Sequence, residues 1–191
     1  TTINIDRDYV VTLYEVKFDW SSVRVVYPYD KTADEYIRYT RRYPYDIADT
    51  NAYENAYLWV AETSQKIRKD ATDDLDYVRR VYSLVTAEFT YGDWSGGFTN
   101  LIARKQGDCG GITHAFVSLL REGGIPARSM ACLRPNEGPH VWPEFYLQEY
   151  GWIPTDPTYD LGRPSNPNNF GARWDDTIVM TYDTGFTVQT A

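Results

Sequence analysis

The sequence predicts an α+β chain, with a helical half followed by an antiparallel sheet. Apolar residues recur at helical spacing through 52–69, 73–88 and from Cys109 to the glycine pair at 123–124. Strand-like runs bounded by turn residues then occupy roughly 126–133, 140–148 and 151–155. There is no internal repeat and no low-complexity tract.

Taken in order, residues 1–30 are rich in Val, Ile and Tyr and read as strands, with Trp20-Ser21-Ser22 as a turn between them. Residues 31–49 read as irregular, broken by Pro28 and Pro44, so 1–45 is expected to be a β-rich extension. The first long helix carries Ala52, Ala56, Trp59, Val60 and Ile67 at helical spacing. The second carries Leu75, Val78, Val81, Tyr82 and Val85 on one face, with Asp73, Asp74 and Asp76 in its first turn, where they favour the helix dipole. Residues 91–106 read as a glycine-containing loop. The third helix buries Ile112, Ala115, Phe116, Leu119 and Leu120 and ends at Gly123-Gly124. The last two of the three strands are joined at Tyr150-Gly151, 161–171 is a polar loop, and 176–188 is a closing hairpin or strand.

A chain of 191 residues fits one domain with at most a small appendage. A net charge of −8 without a strong basic cluster argues against nucleic acid and anionic membrane surfaces. No run of about 18 apolar residues is present, so no membrane insertion is expected. The first residue is Thr1 rather than Met, which suggests a trimmed or processed chain and leans towards a secreted or cell-envelope protein if a signal was removed. Aromatic residues are abundant (17 Tyr, 6 Trp and 7 Phe); most pack across a sheet, and some can line a groove for peptide or sugar.

Cys109, His140 and Asp156 each sit in a context that suits a thiol nucleophile, a general base and an orienting carboxylate. Asp108 is a natural N-cap, which places Cys109 in the first helical turn, where unpaired N–H groups and the dipole stabilise a thiolate. Gly110 and Gly111 cost the helix roughly 1 kcal/mol each, so a substrate passing close to the backbone is one reason for them. Alone, Cys109 reads more readily as a buried structural cysteine than as a nucleophile. His140 heads a strand whose alternate residues are Trp142, Glu144 and Tyr146; Trp142 and Gly110 are the candidate substrate-cleft residues. His114 lies five residues after Cys109, about 140° round the helix, and is expected to pack or face solvent. Asp156 precedes Pro157, which imposes an extended or turn backbone. Pairing 147 with 152 sets Ile153 near Tyr146 and brings Asp156 back towards His140. A zinc site of Cys109, His114, Cys132 and His140 lacks the close ligand pairs of structural zinc motifs, and no metal or cofactor is expected.

The segments GDCGGITHAFVSLLREGGIPAR (107–128) and HVWPEFYLQEYGWIPTDPT (140–158) resemble the transglutaminase-like superfamily, a papain-related thiol fold. The resemblance implies a catalytic domain over 46–191 with a papain/transglutaminase-like core, its nucleophile helix packed on an antiparallel sheet. It implies nucleophile Cys109, general base and acid His140 and orienting Asp156. It also implies a cysteine-dependent acyl transfer through a thioester on a peptide or protein substrate, with hydrolysis expected over cross-linking. A non-catalytic peptide- or glycan-binding module with the same fold is the other reading. Gln106, Trp94 and Tyr91 are candidates for a second oxyanion donor, because relatives often place one before the nucleophile. Pro143 stands where most members keep an N–H, which suggests an edge or an interrupted ladder, and Glu144 is expected to bond loop backbone or an arginine.

Overall fold

The computed structural model describes residues 10–42, 50–93, 97–135 and 137–183. In chain order the elements are β1 (Val16–Lys17), a 3-10 turn at Trp20–Ser22, α1 (Asp34–Tyr39), α2 (Thr50–Asp70), α3 (Asp74–Glu88), β2 (Thr90–Tyr91), α4 (Gly97–Arg104), β3 (Gln106–Gly107) and α5 (Cys109–Glu122). They continue with β4 (Ala127–Arg134), β5 (Gly138–Leu147), β6 (Gly151–Pro154), a 3-10 turn at Pro157–Asp160, β7 (Ala172–Arg173) and β8 (Ile178–Tyr182). The main sheet is antiparallel throughout, in the order β6-β5-β4-β8. The α+β expectation therefore holds, helices first and sheet second.

Helix α5 is the centre of the molecule. Its residues from Gly111 to Arg121 are buried on every side, not on one stripe only. A helix apolar nearly all round must be enclosed, and here α2, α3 and α4 surround it while β4 and β5 close the remaining face. The core joins Val60, Val78, Val81 and Val85 of the outer helices to Phe116 and Leu120, and these to Phe145, Leu147 and Ile153 of the sheet. Helix α3 starts as expected: the Asp73 carboxylate accepts from the Asp76 N–H at 2.8 Å.

Several expectations are corrected. The strands foreseen in 1–30 reduce, among the described residues, to the two of β1; residues 1–9 lie outside them. Propensity for strand is not pairing, and β1 finds only β7 as a partner. From Phe18 on, Phe18, Trp20, Val23, Val26 and Tyr29 pack against the core, with Trp20 stacked on Phe170 at 4.9 Å and its indole N–H donating to the Phe170 carbonyl at 3.2 Å. Residues 34–39, read as irregular, form α1. The 91–106 segment is not a single loop. It contains α4, which buries Phe98, Leu101 and Ile102 at an i, i+3, i+4 spacing, and its ends pair as the parallel ladder Thr90↔Gln106 and Tyr91↔Gly107.

The β5–β6 register is one residue tighter than expected, with Leu147↔Gly151, Tyr146↔Trp152 and Phe145↔Ile153. The turn closes by the Tyr150 N–H donating to the Leu147 carbonyl at 3.0 Å. Glu149 at φ 69° and Gly151 at φ 82° supply the left-handed positions that so short a turn needs. Pro143 lies on an inner strand, not at an edge. Its carbonyl accepts from the Thr155 N–H at 3.0 Å, on the β6 side, so its missing N–H falls just past the end of β6. Of the closing 176–188 segment, β8 is a single strand on β4, and residues 184–191 lie outside the described ones.

Candidate active site

Cys109 is the first residue of α5, and the Asp108 carboxylate caps that helix by accepting from the Gly111 N–H at 2.9 Å. The thiol therefore sits at the positive end of the helix dipole, among N–H groups that have no partner within the helix. Gly110 is half-buried and has room: an added Cβ would meet only the Asp108 carboxylate, at 3.3 Å. Gly107 is the constrained glycine here, since a Cβ would press on Leu101 at 2.7 Å.

β5 brings His140 to the same point. Its Nε2 lies 2.6 Å from Asp156 Oδ2. Cys109 is close enough for its thiol to act on the same ring. Burial pulls the imidazole down. The hydrogen bonds and charge of Asp156 and then Cys109 outweigh that, and the group is held up at about 9. The Thr113 hydroxyl donates to the Val141 carbonyl at 3.2 Å and ties α5 to β5 just beside this contact.

Asp156 is buried and fully held. Its Oδ1 accepts from the Thr158 N–H at 3.1 Å, capping the 3-10 turn that Pro157 begins, and its N–H donates to the Asn169 carbonyl at 2.9 Å. Behind it lies a buried polar knot absent from the sequence reading. Asp160 accepts from the Tyr82 hydroxyl at 2.6 Å, the Asn169 N–H at 2.8 Å, the Asn169 amide at 2.9 Å and the Asn168 N–H at 3.1 Å. That knot pins the 156–170 segment to α3 and so fixes where the Asp156 carboxylate points.

The second histidine and second cysteine are of another kind. His114 is buried against Phe98, with ring centroids 4.8 Å apart, and burial first and Arg121 second push it down to about 3. Cys132 lies opposite His140 in the ladder, buried, and burial pushes its thiol up to about 11. Neither cysteine is in a disulfide. Among the described residues no group of three or more His, Cys, Asp or Glu is placed to hold a metal ion.

Of the other candidates, Tyr91 stands at 63% exposure, close enough to Cys109 that the thiol's charge adds to the burial that raises its phenol. Gln106 lies on β3 with its amide over Gly92, so near that a Cβ there would sit 2.0 Å from Nε2. Trp94 lies outside the described residues. Trp142 is not a cleft residue: it is 3% exposed and packs with Met130 and Cys132 on the far face of the sheet. Alternation along β5 put it on a mixed face, and there the side chains of Met130, Cys132 and Val179 pack against it. Glu144 takes the expected arginine, accepting from Arg128 at 2.7 and 3.0 Å.

The open space at the site is a cleft of about 550 Å³ lined by Ala87, Phe89, Thr90, Tyr91 and His140 on one run and Thr158, Tyr159, Leu161 and Gly162 on the other. The Tyr159 ring lies 5.3 Å from that of His140, and its hydroxyl meets Arg134 and Glu137. Tyr159 follows Asp156 by three residues, and that short spacing was the one sequence signal that could have flagged it.

No helix among the described residues is long and apolar enough to cross a membrane. No curated protein sequence matches the chain. Among solved structures, two of the periplasmic domain of TgpA from Pseudomonas aeruginosa are similar. One, at 20% identity, covers 67% of this chain and 48% of that chain with a TM-score of 0.49. The other, bound to ethylmercury and 21% identical, covers 63% and 54% with a TM-score of 0.48. A candidate cysteine protease from Cytophaga hutchinsonii is 15% identical over 79% of this chain and 63% of that one, with a TM-score of 0.47. The chain thus spans about half the length of the TgpA domain it resembles. The profile of the Transglutaminase-like superfamily matches residues 61–157, from within α2 to just past Asp156. A match over half of the sequence, taking in both signature segments up to the Asp-Pro pair, means that the chain belongs to the transglutaminase-like superfamily, which includes cysteine-dependent acyltransferases and proteases.

Proposed function

We propose that this chain is a cysteine-dependent acyl-transfer enzyme that acts on amide or peptide carbonyls through a thioester, and that it hydrolyses rather than cross-links. The observation that carries this is one imidazole shared between a buried carboxylate at 2.6 Å and the thiol at the head of α5. In this reading the Cys109 sulfur attacks the carbonyl carbon, and the developing oxyanion takes a hydrogen bond from the Cys109 backbone N–H. Gln106 or Tyr91 supplies a second donor. His140 gives its proton to the departing amine, so the C–N bond breaks and the acyl group stays on sulfur. It then takes a proton from the attacking water; the C–S bond breaks, the acid departs and the sulfur is freed as a thiolate beside the imidazolium. Asp156 keeps the ring turned and balances its charge. Hydrolysis is taken over cross-linking because the resemblance to the superfamily implies it.

Mass spectrometry of the protein mixed with a peptide library, with and without an added amine, tests this. An acyl adduct on Cys109 that decays to free acid is expected, and Cys109→Ala is expected to abolish turnover. Turnover by Cys109→Ala would sink the catalytic assignment. Release mainly as the amide adduct would move the reading to transamidation.

A further inference from the structure

We infer that the cleft beside His140 binds the leaving side of the substrate, and that it selects an amine carrying an aromatic or branched aliphatic side chain. This rests on the acyl-transfer reading above and adds which half of the substrate is recognised, and by what chemistry. Three observations carry it.

The first is position. The cleft is lined by His140 but not by Cys109, Asp108 or Gly110. The acyl part of a substrate lies on the sulfur, whereas the departing nitrogen lies against the group that protonates it. A side chain next to that nitrogen therefore enters the space beside the imidazole.

The second is chemistry. Among the described lining residues only His140 carries charge near neutral pH; the others are Ala, Phe, Leu, Gly, Thr and two tyrosines. Tyr91 and Tyr159 stand at 63% and 41% exposure on its two rims, and buried Phe89 contributes to its lining. Exposed aromatic faces around a hollow whose one cation is already paired with Asp156 favour an apolar side chain and disfavour a carboxylate, which would lose its water without gaining a free partner. The Tyr159 hydroxyl is turned to Arg134 and Glu137, so the ring and not the phenol end is presented inside.

The third is size and rigidity. About 550 Å³ accommodates a phenyl or isobutyl group. The walls are tied together, since the Gly162 N–H donates to the Thr86 carbonyl at 2.7 Å and binds the 158–162 wall to the end of α3.

The same site must receive an incoming amine, because aminolysis of the thioester is the reverse of its formation. In that step the amine nitrogen bonds to the carbonyl carbon, the C–S bond breaks, His140 accepts the ammonium proton and the sulfur leaves as a thiolate paired with the imidazolium. An amine whose side chain fits the cleft thus competes with water better than one without.

The experiment acylates the enzyme with the methyl thioester of N-acetylglycine, whose small leaving group makes no demand on the cleft. The acyl-enzyme is then partitioned between water and phenylalaninamide, leucinamide, glycinamide or the α-amide of aspartate. Phenylalaninamide and leucinamide are expected to intercept at about tenfold lower concentration than glycinamide, and the aspartate derivative to be poorer still. Ala87→Phe fills the cleft from an exposed position of α3, outside the core. It is expected to erase the tenfold preference, bringing phenylalaninamide and leucinamide to the level of glycinamide, with the methanethiol burst counting the acylated enzyme. Equal interception by all four amines, interception by none, or a preference untouched by Ala87→Phe would overturn the assignment with the acyl-enzyme intact. Failure to form any adduct on Cys109 would overturn the enzymatic reading itself, and this one with it.

Discussion

Cys109, His140 and Asp156 illustrate how much a single residue's surroundings decide. The chain holds only two histidines, and burial takes His114 out of the neutral range, so one imidazole titration near 9 belongs to His140. Asp156→Asn is expected to drop it towards the ordinary value near 6.5, read by NMR of the ring protons. The sign for stability follows. A folded value above the unfolded one means that protonated His140 stabilises the fold fully below about pH 6.5, and that this contribution is lost as pH rises through about 9. Wild-type stability should therefore decline over that window more than that of Asp156→Asn, as urea midpoints at pH 6 and pH 9.5 would show. The two thiols divide as clearly. Iodoacetamide at neutral pH is expected to label Cys109 on the native protein and to reach Cys132 only after denaturation, because Cys132 is buried and its thiol is pushed up to about 11. Labelling of Cys132 at the same rate as Cys109 would contradict that.

Elements succeed or fail on their ends. The Asp108 cap could be read from sequence because capping needs only neighbours: the carboxylate reaches an N–H three residues on. Asp108→Ala is expected to cost about 1 kcal/mol and to slow alkylation of Cys109, since the first turn of α5 would fray. At the other end Gly123 is required for a reason that turn chemistry alone does not reveal. An added Cβ would lie 2.2 Å from the Tyr77 ring, whose hydroxyl donates to the Leu119 carbonyl at 2.6 Å and meets Ser64 at 2.8 Å. Gly123→Ala is thus expected to destabilise by about 1–3 kcal/mol in chemical denaturation, through overpacking. Helix α4 shows the opposite case. Its Phe98, Leu101 and Ile102 have helical spacing, but eight residues give too few turns for periodicity to stand out beside flanking glycines.

At the scale of the whole molecule, the N-terminal segment holds the sheet end and the helical half together. Trp20 bridges Phe170 and Arg79, and Gly171 has no room for a Cβ because the indole lies 2.7 Å from where it would be. Trp20→Ala is expected to lower stability by about 2–3 kcal/mol in thermal or urea melts, and to loosen the 156–170 segment that carries Asp156. A melt unchanged by it would mean that the segment is only draped over the core. What the sequence determined alone was local or periodic: three long helices, the strands of the main sheet, the cap at Asp108, and three residues of the right types in the right contexts. Those depend on spacing along the chain, which 3.6- and 2-residue repeats make visible. The tertiary structure decided which faces were covered, burying Trp142 and opening the cleft between Tyr91 and Tyr159. It also decided the one-residue tighter pairing of β5 with β6 and the Asp160 knot that aims Asp156. Those outcomes depend on partners from about 4 to about 80 residues apart, chosen by packing and by the need to pair every buried polar group, which the repeat of apolar positions does not encode.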